Sequence, residues 1–325
     1  MDNRLNTGRA VDGQDDVDPQ VRQFLQRLAA GYEAYPQLAS AALPEARRIV
    51  EAVRAQWVQG GPEMASTEEL RVGALGTRVR ILRPRAAGDL PALAYFHGGG
   101  WTMFSIDTHD RLMREYAARA GIAVVAVDYS LSPEAKFPRA LEEAVDVIGW
   151  LRLEGPAHGI DGSRLAVGGD SAGANLSVSS QLRLRGLGQP PVSAMLLNYG
   201  VYTDRITPSW QCYDGPSYML ESGEMNQFWT NYLRTDADRN DPLAVPLLGD
   251  LRGLPPAFMA IAECDILLDG NRMMAQALRE AGVETETRLY PGATHSFLEA
   301  MSVSDLADRA LDETSDWLTQ RLCAR

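Results

Sequence analysis

Short apolar runs alternate with amphipathic segments along most of the chain. The apolar runs predict strands at residues 78–82, 91–96, 122–127, 164–167, 192–197, 257–262 and 284–290. The segments with helical spacing predict helices at 108–120, 138–151, 172–185, 271–281 and 304–322. Buried strands that alternate with helices are typical of a parallel sheet with helices on both faces. We therefore predict an α/β fold with a mostly parallel central sheet.

Two stretches depart from this alternation. Asp18 is placed to cap a first amphipathic helix that ends at Gly31, and a second helix runs from residue 44 to near 60, before any strand. Residues 200–255 are rich in aromatic, Pro and Asp residues and contain one predicted helix, 224–233. We expect residues 17–60 and 200–255 to form a helical cap on a core made of 61–199 and 256–325, with a polar and mobile N-terminus at 1–16.

Length and charge narrow the possibilities. A chain of 325 residues is long for one core, which fits a core with an added cap. The net charge of −12 disfavours binding to nucleic acids and to anionic membranes. The three cysteines, the lack of a secretory apolar segment and the lack of a long apolar run predict a cytoplasmic protein. No metal-binding pattern is present, and we expect no cofactor.

The sequence GDSAG at 169–173 fits the G-x-S-x-G turn that exposes a nucleophilic serine. The pattern alone is weak, since a glycine-rich strand-to-helix turn also occurs in nucleotide-binding folds. Here it follows a predicted strand and opens a predicted helix, which is the arrangement that the motif requires. Ser171 is therefore the candidate nucleophile.

A second motif, HGGGW at 97–101, follows another predicted strand. The alternative is a flexible loop. Consecutive glycines leave backbone N–H groups free to point at a developing oxyanion. We predict an oxyanion hole formed by Gly98, Gly99, Gly100 and Ala172, with His97 holding the loop by hydrogen bonds.

A serine nucleophile needs a base and an acid, which follow it in chain order in this motif class. His295 is the only histidine after Ser171, and it lies just past a predicted strand. Asp265 follows the strand 257–262 and is the predicted acid. Asp269 is the second choice, although it could cap the helix that starts at 271, and Glu263 is the third.

The chain resembles the bacterial hormone-sensitive-lipase-like family of α/β-hydrolases, also called family IV carboxylesterases. The matching stretches are HGGGW at 97–101, THD at 108–110, 127–144, GGDSAGANL at 168–176, AECDILLDG at 262–270 and YPGATHSF at 290–297. The resemblance implies the same triad, oxyanion residues and cap. It also implies that dimers could form through an edge strand near 284–290 and the last helix. The chain departs from the usual family pattern at Thr102, Met103, Phe104, Ser130, Ser132, Ala174, Gly200 and Ser296.

These observations predict a serine carboxylesterase for short-chain esters of small molecules. One alternative is an arylformamidase or amidase with the same triad, and a more remote one is a non-catalytic receptor, as in the related gibberellin receptors, which lack the histidine. Phe104 beside the oxyanion loop favours short acyl groups. The predicted pocket walls are Trp101, Phe104, Tyr199, Tyr202, Trp210, Tyr213, Phe228 and Trp229.

Overall fold

A computed structural model describes residues 16–86 and 88–323 of the chain. The predicted mobile N-terminus lies outside the described residues except for Asp16. Apolar strands form one eight-stranded sheet in the order β1-β2-β4-β3-β5-β6-β7-β8. The strands are β1 Ser66–Val72, β2 Thr77–Arg83, β3 Leu90–Phe96, β4 Ala123–Asp128, β5 Ile160–Asp170, β6 Ala194–Asn198, β7 Ala257–Cys264 and β8 Thr285–Thr294.

Strand direction confirms the predicted mostly parallel sheet. Neighbouring strands in the series β4-β3-β5-β6-β7-β8 pair in parallel. The pairs β1 with β2 and β2 with β4 are antiparallel. β1 was not predicted, because only Val72 of its residues is buried and an exposed edge strand has little apolar pattern. β5 begins four residues before the predicted strand 164–167 and ends three residues after it.

Helices cover both faces of the sheet. They are α1 Pro19–Glu33, α2 Leu43–Arg54, α3 Asp110–Ala120, α4 Arg139–Leu153, α5 Ala172–Gly186, α6 Pro208–Cys212, α7 Ser222–Tyr232, α8 Leu268–Glu280 and α9 Asp305–Cys323. α4, α5 and α8 share one apolar core with one face of the sheet, and α1, α3 and α9 share a second core with the other face. None of the helices within the described residues is long and apolar enough to cross a bilayer.

The two N-terminal helices are present, but their predicted ends were wrong. Asp18 caps α1 as predicted, accepting hydrogen bonds from the N–H groups of residues 20 and 21 at 2.9 and 3.0 Å. α1 continues through Gly31, which packs closely against Val53 of α2, so the missing side chain serves helix packing. α2 ends at Arg54, several residues before the predicted end near 60.

The segment 200–255 lies between β6 and β7 and contains α6, α7 and short 3₁₀ turns. The predicted helix 224–233 corresponds to α7. The helix that follows β7 begins at Leu268 and not near 271. Asp269 lies in its first turn and does not cap it, because its carboxylate accepts a hydrogen bond from the N–H of Ser209 at 2.9 Å.

Candidate active site

Ser171 occupies a sharp turn between β5 and α5. Its backbone has φ 52° and ψ −115°, a strained conformation for a residue with a side chain. The chain can turn this tightly because the neighbouring residues are glycines. A Cβ atom at Gly169 or Gly173 would clash with the backbone carbonyl of Phe96 on β3. The turn lifts the Ser171 side chain to the carboxyl edge of the sheet, and the serine is 5% exposed.

The structure brings the three predicted triad side chains together. Ser171 Oγ lies 3.0 Å from Nε2 of His295, and Nδ1 of His295 lies 2.8 Å from Oδ2 of Asp265. Each residue directly follows the carboxyl end of a strand, β5, β7 or β8, and parallel strands bring these ends to one edge of the sheet.

The alternative acids are engaged elsewhere. Asp269 accepts from Ser209, as described above, and Glu263 accepts a hydrogen bond from the N–H of Gly292 at 3.0 Å. Asp265 also accepts from the N–H of Leu267 at 2.9 Å, which orients its carboxylate toward the histidine. Asp265 is therefore the acid that the geometry favours.

The charge on His295 depends on its surroundings. Burial alone would lower its pKa, but the Asp265 carboxylate outweighs burial through its charge and its hydrogen bond, so the pKa of His295 is raised above the ordinary value. The ring of Tyr199 packs edge-on against the imidazole of His295, with the ring centroids 5.2 Å apart, and limits rotation of the imidazole. The histidine is thus held in one orientation with its Nε2 directed at Ser171.

The backbone donors near Ser171 divide into two groups. Gly99 and Gly100 line the same cavity as Ser171, and Ala172 opens α5, so its N–H has no carbonyl partner within that helix. Including Gly98 among the oxyanion donors was wrong. Its N–H donates to Oδ1 of Asp170 at 3.1 Å and is therefore already occupied.

A cavity of about 370 Å³ opens beside Ser171 and His295. Its walls are mostly apolar, with a few polar groups among them. The lining residues are Tyr32, Leu38, Val50, Arg54, Gly99, Gly100, Met103, Phe104, Ser171, Met219, Leu220, Glu224, Met225, Phe228, His295 and Ser296. A concave, largely apolar site next to a potential nucleophile is the usual form of a small-molecule site.

Comparison with known proteins agrees with this geometry. The sequence model of the α/β-hydrolase fold family matches residues 93–299, which include all three triad residues. The chain belongs to this family. The match confirms the resemblance to the hormone-sensitive-lipase-like hydrolases that the sequence motifs indicate.

Solved structures of several hydrolases are similar over nearly the whole chain. An ester hydrolase from the metagenome of Lake Arreo, bound to a bipyridine phosphonate derivative, is 31% identical with a TM-score of 0.87, covering 95% of this chain and 100% of its own. An esterase from Pyrobaculum calidifontis is 32% identical with a TM-score of 0.85 and the same coverage. A thermostable esterase from Pseudomonas putida is 29% identical with a TM-score of 0.87, covering 98% and 100%.

Of the predicted pocket aromatics in this hydrolase, only Phe104 and Phe228 line the cavity. The prediction was wrong for the other six, which pack elsewhere. Trp101 illustrates the reason, because its indole stacks on Tyr232 with ring centroids 4.1 Å apart and has no exposed surface. The six aromatic residues that do not line the cavity are Trp101, Tyr199, Tyr202, Trp210, Tyr213 and Trp229.

Sequence reasoning missed the part of the wall that comes from the N-terminal helices and α7. Tyr32 lies on α1, Val50 and Arg54 on α2, and Glu224 and Met225 on α7. The amphipathic pattern of the first two helices indicated that they cover a surface. The pattern does not indicate which of their side chains reach the cavity beside Ser171, which lies more than a hundred residues later in the chain.

A second buried histidine–aspartate pair lies beside the first. Nε2 of His109 is 3.3 Å from Oδ2 of Asp170, the residue before Ser171, and both side chains are buried. The hydroxyl of Tyr95 donates to Oδ1 of the same carboxylate at 2.8 Å. The N–H of Gly98 also donates to this carboxylate. Asp170 therefore links the turn at Ser171 to the glycine loop through its hydrogen bonds.

The hydrogen-bond partners of His109 are a hydroxyl and a carboxylate. The hydroxyl of Thr108 donates its one hydrogen to the carbonyl of Ser105 at 2.8 Å, so it accepts from Nδ1 of His109 at 2.9 Å. Nε2 faces a carboxylate and must donate as well. Burial lowers the pKa of His109, but the Asp170 charge outweighs this and raises it, while His109 helps to hold the pKa of Asp170 below its usual range despite burial. The Asp170 carboxylate therefore favours the protonated form of His109.

His97, in contrast, is neutral. Burial lowers its pKa to about 3, and its Nδ1 is 2.7 Å from the carbonyl of Gly98. Its ring stacks on Tyr129 at 4.4 Å, and the Tyr129 hydroxyl donates to the His97 carbonyl at 2.8 Å. These contacts hold the glycine loop in addition to the hydrogen bond between Gly98 and Asp170.

Proposed function

We propose that this hydrolase is a serine carboxylesterase that cleaves short-chain esters of small molecules through an acyl-enzyme on Ser171. The observation that carries the proposal is the continuous contact from Ser171 Oγ through His295 to Asp265, at 3.0 and 2.8 Å, at the wall of a cavity. The three solved relatives described above are named as ester hydrolases, which supports the same bond.

The first half of the reaction forms the acyl-enzyme. Ser171 Oγ attacks the ester carbonyl carbon while His295 Nε2 takes the hydroxyl proton, and the carbonyl electron pair moves to the oxygen. The N–H groups of Gly99, Gly100 and Ala172 stabilise that oxyanion, and such preorganised donors are the largest single contribution in many enzymes. The C–O bond then breaks as the imidazolium returns its proton to the departing alcohol.

The second half releases the acid. His295 removes a proton from water as the water attacks the acyl carbonyl, and the oxyanion forms again at the same donors. The collapse of this intermediate breaks the bond to Ser171, whose oxygen takes the proton back from His295. Asp265 keeps the imidazole in the correct tautomer and stabilises its positive charge throughout. Every step uses only side chains, backbone groups and water.

Short acyl groups are favoured by two aromatic rings that lie against the oxyanion glycines. A Cβ atom on Gly99 would clash with Phe104, and one on Gly100 would clash with Phe228. The rings therefore confine the space next to the position of the reacting carbonyl. We propose that activity falls as the acyl chain lengthens, which a series of 4-nitrophenyl esters from acetate to decanoate tests.

We propose that residues 17–60 and 200–255 form a cap over the site, since α1, α2 and α7 contribute wall residues to the cavity. We also propose a cytoplasmic location, supported by the sparse and odd-numbered set of three cysteines. A homodimer is proposed through β8, which lies at one edge of the sheet, and Leu289 on it is 41% exposed. Light scattering of the wild type and of Leu289→Glu tests the dimer.

The decisive experiment replaces the nucleophile. Ser171→Ala should abolish hydrolysis of 4-nitrophenyl acetate and labelling by a fluorophosphonate probe, while the melting temperature stays near that of the wild type. Ser177→Ala is a matched control, because Ser177 lies on the same helix and its hydroxyl donates to the carbonyl of Gly173. Turnover retained in Ser171→Ala would contradict the proposal.

A further inference from the structure

A buried arginine forms part of the cavity wall. Arg54 is the last residue of α2, is 3% exposed, and lines the same cavity as Ser171 and His295. Its guanidinium lies over the ring of Phe104, with 4.2 Å to the ring centroid. Cations are rarely buried without partners for their N–H groups, so the partners of this side chain are informative.

The guanidinium has more donors than partners. Its Nε donates to Oε2 of Glu299 at 3.0 Å, and its Nη1 donates to the hydroxyl of Tyr32. Among residues 16–86 and 88–323, nothing accepts a hydrogen bond from Nη2. A guanidinium carries five N–H groups, and three of those on Arg54 have no acceptor among the described residues. A substrate that excludes water from the cavity must itself supply acceptors for them.

The surrounding charges decide what kind of acceptor fits. The charge of Arg54 is already compensated by Glu299, which is itself buried. Burial alone would lower the pKa of Arg54, but the Glu299 charge raises it, so the guanidinium stays charged. Glu224 adds a further carboxylate at the cavity wall, and desolvation raises its pKa. An anionic group would therefore meet no uncompensated positive charge, whereas a neutral oxygen can accept the free N–H groups.

We propose that the preferred substrates are esters that carry a second, neutral oxygen acceptor, such as a ketone or ether, bound by Nη2 of Arg54. This rests on the proposed esterase function and adds the substrate class. Most of the remaining wall is apolar, so the remainder of the substrate is a short hydrocarbon. An ester of the same shape without the second oxygen excludes water and leaves the N–H donors of the charged guanidinium without acceptors. Such a loss is costly in a buried site.

The experiment compares substrates of matched shape. On the acyl side, 4-nitrophenyl 4-oxopentanoate and 5-oxohexanoate are each compared with the analogue in which a methyl branch replaces the ketone oxygen. On the alcohol side, 4-oxopentyl acetate is compared with 4-methylpentyl acetate. The ratio of kcat/KM within a pair cancels the active fraction of each preparation. Spontaneous hydrolysis rates correct for intrinsic reactivity.

We expect the wild type to prefer the ketone by about tenfold or more in at least one pair, the lower end of what a hydrogen bond to a charged group contributes. In the double variant Arg54→Met with Glu299→Gln, which leaves no buried charge unpaired, the ratio should fall to about one. Arg54→Lys should lie between these values. Arg48→Lys, an exposed position on the same helix, should keep the wild-type ratio.

A ratio near one in every wild-type pair, or a preference that survives in the double variant, would overturn the inference. A higher kcat/KM for 4-nitrophenyl hemiglutarate, which ends in a carboxylate, than for the ketone esters would also overturn it. In all these cases hydrolysis of the all-carbon esters still supports the proposed esterase function. Absence of turnover with every ester would overturn both.

Discussion

Two buried histidine–aspartate pairs flank Ser171, and they differ in what the second ring nitrogen meets. In His295–Asp265 the free nitrogen faces the Ser171 hydroxyl at 3.0 Å at the cavity wall. In His109–Asp170 it faces Thr108, whose proton is already donated to Ser105. We therefore expect the first pair to transfer a proton and the second to hold the surrounding loops in position. A histidine beside an aspartate is therefore not a catalytic pair unless its third partner has a proton to give.

The largest effect should come from removing the base. His295→Gln should lower kcat between about 10⁴-fold and 10⁶-fold, because glutamine cannot accept the Ser171 proton. The melting temperature of this variant should stay near that of the wild type. His109→Gln is the matched comparison, and its folded fraction, counted by fluorophosphonate labelling, should keep most of its kcat. Equal losses of kcat in the two variants would remove the distinction.

The next effect concerns the acid. Asp265→Asn should lower kcat about 10⁴-fold, because the amide favours the wrong imidazole tautomer. Asp269→Asn, four residues later, should stay near the wild-type rate, since that carboxylate accepts from Ser209 and not from the histidine. Steady-state kinetics on a chromogenic ester measure both. A larger loss in Asp269→Asn would reassign the acid.

The second pair should act mainly on stability. Asp170→Asn leaves the His109 imidazolium without its carboxylate and weakens the anchor of Gly98. We expect the free energy of unfolding to fall by about 3–5 kcal/mol and kcat of the folded fraction by about tenfold. Asp312→Asn, an exposed carboxylate paired with Arg119, should cost less than about 1 kcal/mol. Denaturant unfolding with active-site labelling separates the two effects.

The smallest effect concerns pH dependence. As pH rises, the activity that depends on His295 should increase, whereas the stabilisation that His109 provides should decrease. His295 must be neutral to act, and Asp265 raises its pKa, so kcat/KM should rise with pH at a midpoint above about 6.5. The raised pKa of His109 has the opposite consequence. Its stabilisation is fully present below about pH 6.5 and is lost as pH rises through its folded pKa.

The unfolding free-energy difference between wild type and His109→Gln should therefore shrink as pH rises, while activity increases. Equilibrium unfolding across pH 6–9, beside kcat/KM profiles, tests this. A difference that does not change with pH would show that the His109 charge contributes nothing.

The sheet, and the contacts among Ser171, His295 and Asp265, could be predicted because both depend on order along the chain. His295 was the one histidine after Ser171, and strand ends fixed where the acid must lie. The cavity wall could not be predicted in this way. Trp101 could have faced either a ligand or Tyr232, and only packing decides between them. The loss of Gly98 as an oxyanion donor depends on the direction of one carboxylate, that of Asp170, which no spacing encodes.

The cavity wall draws Tyr32, Val50 and Arg54 from α1 and α2, whereas Ser171, Asp265 and His295 all follow sheet strands. Some of the residues proposed to select the substrate therefore lie in a different stretch of the chain from the proposed catalytic residues. We expect substitutions at Tyr32, Val50 and Arg54 to change substrate preference more than they change the contacts among Ser171, His295 and Asp265. The same separation offers a route for directed evolution, in which randomising these helices explores new substrates from an unaltered catalytic core.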